Sequence, residues 1–216
     1  MLSPALSKQI PANVFATGHV TTLSRAVLKR DRSVPVPASV GHALRTAGLS
    51  RGLPRGSVCA VTGVAPVGFA AVLLAEANRS GSWVAWCSGV APNIRALHDA
   101  GWSPDRLVCI DPQREWLACM GACVGQFELV VTQVPAGVPA ADVRRMTTTA
   151  AHGNGVVVLL VPHGAASIPV DFEFRVERCE WPVSNAGHLS AQVLHVVLGG
   201  RRIAEPRAFE VAIGAS

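Results

Sequence analysis

The stretch GVAPVGFAA, residues 63–71, decides how the rest of the chain is read. Gly63 and Gly68 stand with four residues between them, the spacing of a phosphate-binding loop, which continues with Lys and then Ser or Thr. Phe69 and Ala70 occupy those two places. The flanks suit such a loop. The apolar run SVCAVTG (57–63) predicts a strand ending at Gly63, and FAAVLLAEANRSG (69–81) predicts a helix that Gly68 directly precedes. In a working loop, successive peptide N–H groups and the helix N-terminus cradle the phosphates, the Lys reaches the terminal ones and the hydroxyl holds magnesium. Here Phe69 brings no charge, Ala70 no oxygen and Pro66 no N–H. Each charge-assisted hydrogen bond lost removes roughly 1.5–3 kcal/mol. Burying Phe69 against a sheet contributes a similar ~1.5–3 kcal/mol to the fold instead. The sequence therefore predicts a loop turned into packing.

Outward from this loop, strands and helices alternate. SWVAWCSG (82–89), RLVCID (106–111), FELVVTQV (127–134) and GVVVLLVP (155–162) read as strands. APNIRALHDAG (91–101), QREWLACMGACVG (113–125) and AADVRRMTTTAAHG (140–153) read as the helices between them. Near-continuous Val and Leu runs bounded by helices mark parallel strands buried on both faces. The C-terminal part differs: VDFEFRVERCEW (170–181) alternates apolar with polar residues, and LGGRR (198–202) reads as a hairpin turn. The fold class is α/β, a mostly parallel sheet flanked by helices with antiparallel strands at the C-terminal end. Upstream, SVPVPASV (33–40) reads as a Pro-containing linker, with Ser39 capping a short helix that ends at Gly48. The division is a basic N-terminal helix and linker over 1–38 and an α/β domain over 39–216.

A nucleotide hydrolase needs a carboxylate at the end of a later strand and a catalytic base. The run FELVVTQV ends in Thr132 and Gln133, and WVAWCSG leads to Val90, neither with an acid. Catalytic, cofactor and metal sites are accordingly all assigned as none.

Half the residues are hydrophobic and 15% are charged, so a large core can form. No apolar run reaches the roughly 18–20 residues of a membrane span, and MLSPALSKQIPANVF lacks the apolar core of a signal peptide; the expected compartment is the cytoplasm. Residues 1–55 hold eight Lys or Arg against the single acid Asp31. Such asymmetry points to an anionic partner or a solvated surface. Arg25, Lys29, Arg30 and Arg32 are the candidate contacts with DNA or a partner, though no aromatic interleaving supports strong single-strand binding. Of the tryptophans, Trp83 and Trp86 flank a strand and read as core, whereas Trp116 and Trp181 are candidates for a partner surface. The six cysteines show no CxxC or zinc spacing, and Cys59, Cys87 and Cys109 read as buried thiols within strands. His152 and His163 have no ligand partners at metal spacing, and Arg201 and Arg202 read as exposed turn residues.

The run HALRTAGLSRGLPRGSVCAVTGVAPVGFAAVLLAEANRSGSWVAWCSG (42–89) resembles the opening of the RecA recombinase core, where a short helix and a GGLPRG-type turn lead into the phosphate-binding strand. GWSPDRLVCIDPQREWLACMGACVGQFELVVTQV (101–134) resembles the stretch leading to the magnesium-binding strand. The likeness, over about 41–162, implies that Val90 falls where the catalytic Glu would be and Gln133 where the metal-binding Asp would be. Short VPAGVPA (134–140) and HGAASIP (163–169) stand where the DNA-binding loops would be. A small RecA-like chain with a dead nucleotide site and seventeen Arg to two Lys is similar to ImuA-prime, the accessory subunit of the mycobacterial and actinobacterial DNA-damage mutasome. That resemblance implies a non-catalytic adaptor in induced mutagenesis and translesion synthesis. Its implied partner is ImuB, an inactive Y-family polymerase relative, with RecA, an error-prone C-family polymerase and weakly held DNA as further contacts. Two alternatives stay open: an unusual ATPase in which Arg95 or Arg114 replaces the missing Lys, and a cell-division inhibitor related to the RecA fold.

Overall fold

The computed structural model describes residues 32–49, 52–162, 168–182 and 191–213. The basic segment with Arg25, Lys29 and Arg30, and also His163, lies outside the described residues. In chain order the elements are β1 (Ser33–Pro35), α1 (Ala38–Thr46), β2 (Gly52–Pro54), β3 (Val58–Gly63), α2 (Pro66–Arg79), β4 (Val84–Cys87), α3 (Ile94–Asp99), β5 (Leu107–Ile110), α4 (Trp116–Cys123), β6 (Leu129–Gln133), α5 (Ala140–Gly153), β7 (Val156–Leu160), β8 (Phe172–Glu180), β9 (Gln192–Gly199) and β10 (Arg207–Ile213). Eight strands form one sheet in the order β10-β9-β8-β3-β7-β6-β4-β5. The six strands from β8 to β5 are parallel neighbours, while β9 runs antiparallel between β8 and β10. This is the expected α/β architecture, with a parallel sheet and an antiparallel C-terminal extension.

Residues alternate between two cores because a strand's side chains alternate between faces. One face of β3, β6 and β7 presents Cys59, Val61, Leu129, Val131, Val156 and Val158 to the core under α2, while α1 packs on β10. The other presents Val58, Ala60, Val130, Val157 and Leu159 to α4 and α5. The edge strand β5 is covered less, and its Cys109 is exposed rather than buried. Cys59 is fully buried, and burial pushes its thiol up to about 12, leaving it protonated.

Two upstream expectations are corrected. Ser33–Pro35 is not a free linker but a strand paired antiparallel with Gly52–Pro54, and Val34 and Leu53 are wholly buried where they meet. Ser39 lies inside α1, whose N-cap is Pro37 with no side-chain cap, because the proline already sets the extended geometry of a cap.

The turn before β3 is clamped at the amino ends of the strands. Arg55 Nη2 lies 3.2 Å from Glu128 Oε1, with both side chains almost wholly buried. Beside it, Gly56 N–H donates to Gly155 O at 2.8 Å. Removing one partner of a buried ion pair strands the other charge at a cost of about 3–5 kcal/mol, whereas an apolar pair of similar volume is often neutral. Urea denaturation should therefore find Glu128→Ala destabilised by about 3–5 kcal/mol, with the double variant Arg55→Met/Glu128→Leu recovering most of that loss.

Candidate functional site

The chain leaves β3 through a junction shorter than a phosphate loop. Helix α2 starts at Pro66, so Gly68 and Phe69 lie inside it rather than at its threshold. Proline at the first helical position brings its φ ready-made and gives up an N–H that would be unpaired anyway. Only Val64 and Ala65 connect strand to helix, and Ala65 takes the left-handed conformation, φ 48°. Two of the peptide nitrogens near an anion cradle are committed elsewhere. Val64 N–H donates to Val176 O of β8 at 2.9 Å, and Phe69 N–H donates to Ala65 O at 3.1 Å.

The two glycines have different reasons to be there. At Gly63, with φ 85°, a Cβ would stand 2.1 Å from Val176 O, so the close passage of β8 excludes any side chain. At Gly68 a Cβ would meet nothing nearer than Gln192 Oε1 at 4.0 Å. Phe69 is wholly buried. Its ring centroid lies 5.2 Å from that of Phe174 on β8 and 6.4 Å from that of Phe209 on β10. Ala70 is buried as well. The position of the missing Lys therefore faces the hydrophobic core under the C-terminal strands.

At the carboxyl ends of β3, β4, β6 and β7, where open α/β sheets bind their ligands, lies a crevice of about 190 Å³. That is below the roughly 300–1,000 Å³ of small-molecule sites. Its walls are Pro66, Val67, Trp86, Ser88, Val90, Ala91, Pro92, Asn93, Gln133 and Leu160–Pro162, with no charged side chain among the described residues. Val90 and Gln133 both line it, so the structure brings together the two positions assigned to lost acids. Ser88 Oγ donates to Gln133 Oε1 at 3.4 Å, a neutral pair that can neither bind magnesium as an anion nor take a proton from water. Val67 and Val90 stay exposed on this rim, as do Val64 and Ile94 beside it. Neither Arg95 nor Arg114 is among its walls, and Arg95 is tied to Asp99 one turn along α3 at 3.0 Å.

The remaining candidates divide. Trp181 is 55% exposed and Arg32 is exposed. Trp116, expected at a surface, is buried, with its Nε1–H donating to Thr132 Oγ1 at 2.8 Å. Trp83, expected in the core, is 44% exposed because it precedes β4 at the sheet's amino edge, while Trp86 is buried edge-on to Trp102. Arg201 and Arg202 are half-exposed but anchored, lying 3.1 and 3.3 Å from the buried Asp171 carboxylate, which also accepts from Val58 N–H. No helix among the described residues is long and apolar enough to cross a membrane.

A family model described as the MT3502 N-terminal domain matches residues 46–165, more than half of the chain. The chain belongs to the MT3502 N-terminal domain family. The match runs from the end of α1 past β7 and so contains the junction and the whole crevice, but not β8–β10. Among solved structures, a RadB recombinase is similar with a TM-score of 0.53 and 15% identity, over 79% of this chain and 91% of that one. This likeness shows a RecA-like fold. No curated protein matches in sequence.

The unequal glycines are open to test. Gly63→Ala should destabilise the MT3502-family fold by at least about 2 kcal/mol, from backbone strain and the clash with Val176. Gly68→Ala should stabilise it by roughly 0.5–1 kcal/mol through helix propensity. Phe69→Ala should cost about 3–5 kcal/mol. Denaturant midpoints of the three variants check all of these.

Proposed function

We propose that this chain is a non-catalytic RecA-fold adaptor of DNA-damage-induced mutagenesis, similar to ImuA-prime. It binds an ImuB-type inactive Y-family polymerase relative, with RecA, an error-prone C-family polymerase and DNA as further contacts. One observation carries the reading: the ligand crevice of a RecA-like sheet is walled by apolar and neutral side chains, with Val90 and Gln133 at the positions of the acids. A triphosphate with magnesium needs cations, a carboxylate and free peptide N–H groups. In their places stand Phe69 in the core, the Ser88–Gln133 pair and a junction whose Val64 N–H is bonded to β8. Exposed Val64, Val67, Val90 and Ile94 around the same crevice favour contact with protein over contact with a nucleotide. Trp181 offers a second, separate aromatic anchor. The Arg95–Asp99 pair leaves the ATPase alternative without a cation in the crevice, and no feature favours the cell-division alternative.

Two measurements test the proposal. Calorimetric titration with ATP and magnesium should give no binding at micromolar nucleotide; saturation there would refute the loss of the site. Purified ImuB-type polymerase relative should be retained by the immobilised chain. Val90→Asp together with Val67→Asp, both on exposed positions, should reduce retention at least about tenfold, as expected for charges buried unpaired in an apolar contact. Unchanged retention would move the contact away from the crevice.

A further inference from the structure

Three thiols that sequence spacing keeps apart meet beneath β4. Cys87 is the last residue of that strand, and Cys119 and Cys123 lie four residues apart on α4, hence on one helical face. Their sulfur atoms all lie within 4.8 Å of one another, with Cys87 and Cys123 at 3.6 Å. None is in a disulfide. Cys87 and Cys123 are buried and Cys119 is half-buried, so the cluster is closed towards the core and reachable from one side. Its surroundings are Trp116, Met120, Val124 and Ile110.

We propose that Cys87, Cys119 and Cys123 form a three-thiolate site for a thiophilic d10 ion, Zn2+ or Cu+. The distances carry this. Around a tetrahedral ion with metal–sulfur bonds of about 2.3 Å, ligand sulfurs stand roughly 3.8 Å apart, so the observed cluster needs only small rotamer shifts to close on a metal. Thiolates are the soft donors that select these ions over magnesium or calcium. The chemistry of packing does not require such convergence. Cys59 serves as an isolated buried thiol on the opposite core face, and Cys109 lies alone at the sheet edge. Binding deprotonates the thiols and releases their protons to solvent. Three thiolates leave a net single negative charge with Zn2+, whose fourth position is filled by water from the Cys119 side; Cu+ is satisfied by the three sulfurs alone. The ion would join the carboxyl end of β4, next to crevice residue Ser88, to helix α4. This inference is independent of the proposed adaptor role.

The test uses the full chain, reduced and kept free of air. Titration with Co2+ as a spectroscopic stand-in for Zn2+ should give an intense thiolate charge-transfer band saturating at one equivalent and removed by added Zn2+. A parallel arm with Cu+ against a Cu+-selective chelator identifies which ion is held more tightly. Cys119→Ser, at a half-buried position that should leave the fold intact by circular dichroism, should weaken binding at least about tenfold, while Cys109→Ser should leave it unchanged. In the wild-type chain, metal should protect Cys119 from alkylation, a readout that needs no variant. Failure of both ions to bind, an undiminished band in Cys119→Ser, or a Cys87–Cys123 disulfide as the resting state would each overturn the proposal.

Discussion

The contact of Phe69 with Phe174 and Phe209 sets the terms for everything at the carboxyl edge of the sheet. It fastens the first turn of α2 to the C-terminal strands β8 and β10. An aromatic pair contributes roughly 0.5–1.5 kcal/mol beyond its buried area, and here one ring serves two such pairs. A lysine at this position would have to bury its ammonium or pull free of β8 and β10. Anchoring the antiparallel strands and reaching a triphosphate are thus competing uses of one side chain. In this chain the packing wins.

The same closure governs the backbone. Because β8 passes close enough to Gly63 for its Val176 carbonyl to take the Val64 N–H, the junction cannot open into a nest of free donors. Starting α2 at Pro66 shortens it further. What remains at the strand ends is a small neutral crevice. Among the described residues its walls carry no charged side chain, and Arg95 nearby is paired with Asp99. A surface of this kind gains free energy from excluding water.

The layered α/β fold was legible because buried parallel strands carry unbroken Val and Leu runs; α5 matches its expected span, Ala140–Gly153. Failures came where periodicity is silent. In α4, WLACMGAC is small or apolar throughout, so no stripe reveals that Trp116 faces inward while Leu117 is exposed. Trp83 and Cys109 looked like core by composition, but one precedes its strand and the other lies on the edge strand β5. The start of α2 was misplaced because a proline can begin a helix as readily as interrupt one. The thiol cluster was invisible because Cys87 reaches α4 across a helix, a strand and three loops.

The glycine pair shows why spacing alone cannot report an activity. Gly63 is held by a backbone carbonyl 2.1 Å from where its Cβ would stand, a constraint that applies with or without nucleotide. Gly68 has free space around it and sits in the first turn of a helix, where glycine is less favourable than alanine by up to roughly 0.5–1 kcal/mol. The first glycine is required by the present fold, and the second is explained by none of its contacts. The GxxxxG spacing is thus half enforced by sheet packing and half unsupported by any contact. Judged by what each Cβ would strike, the geometry separates a motif the fold still uses from one that only the spelling preserves.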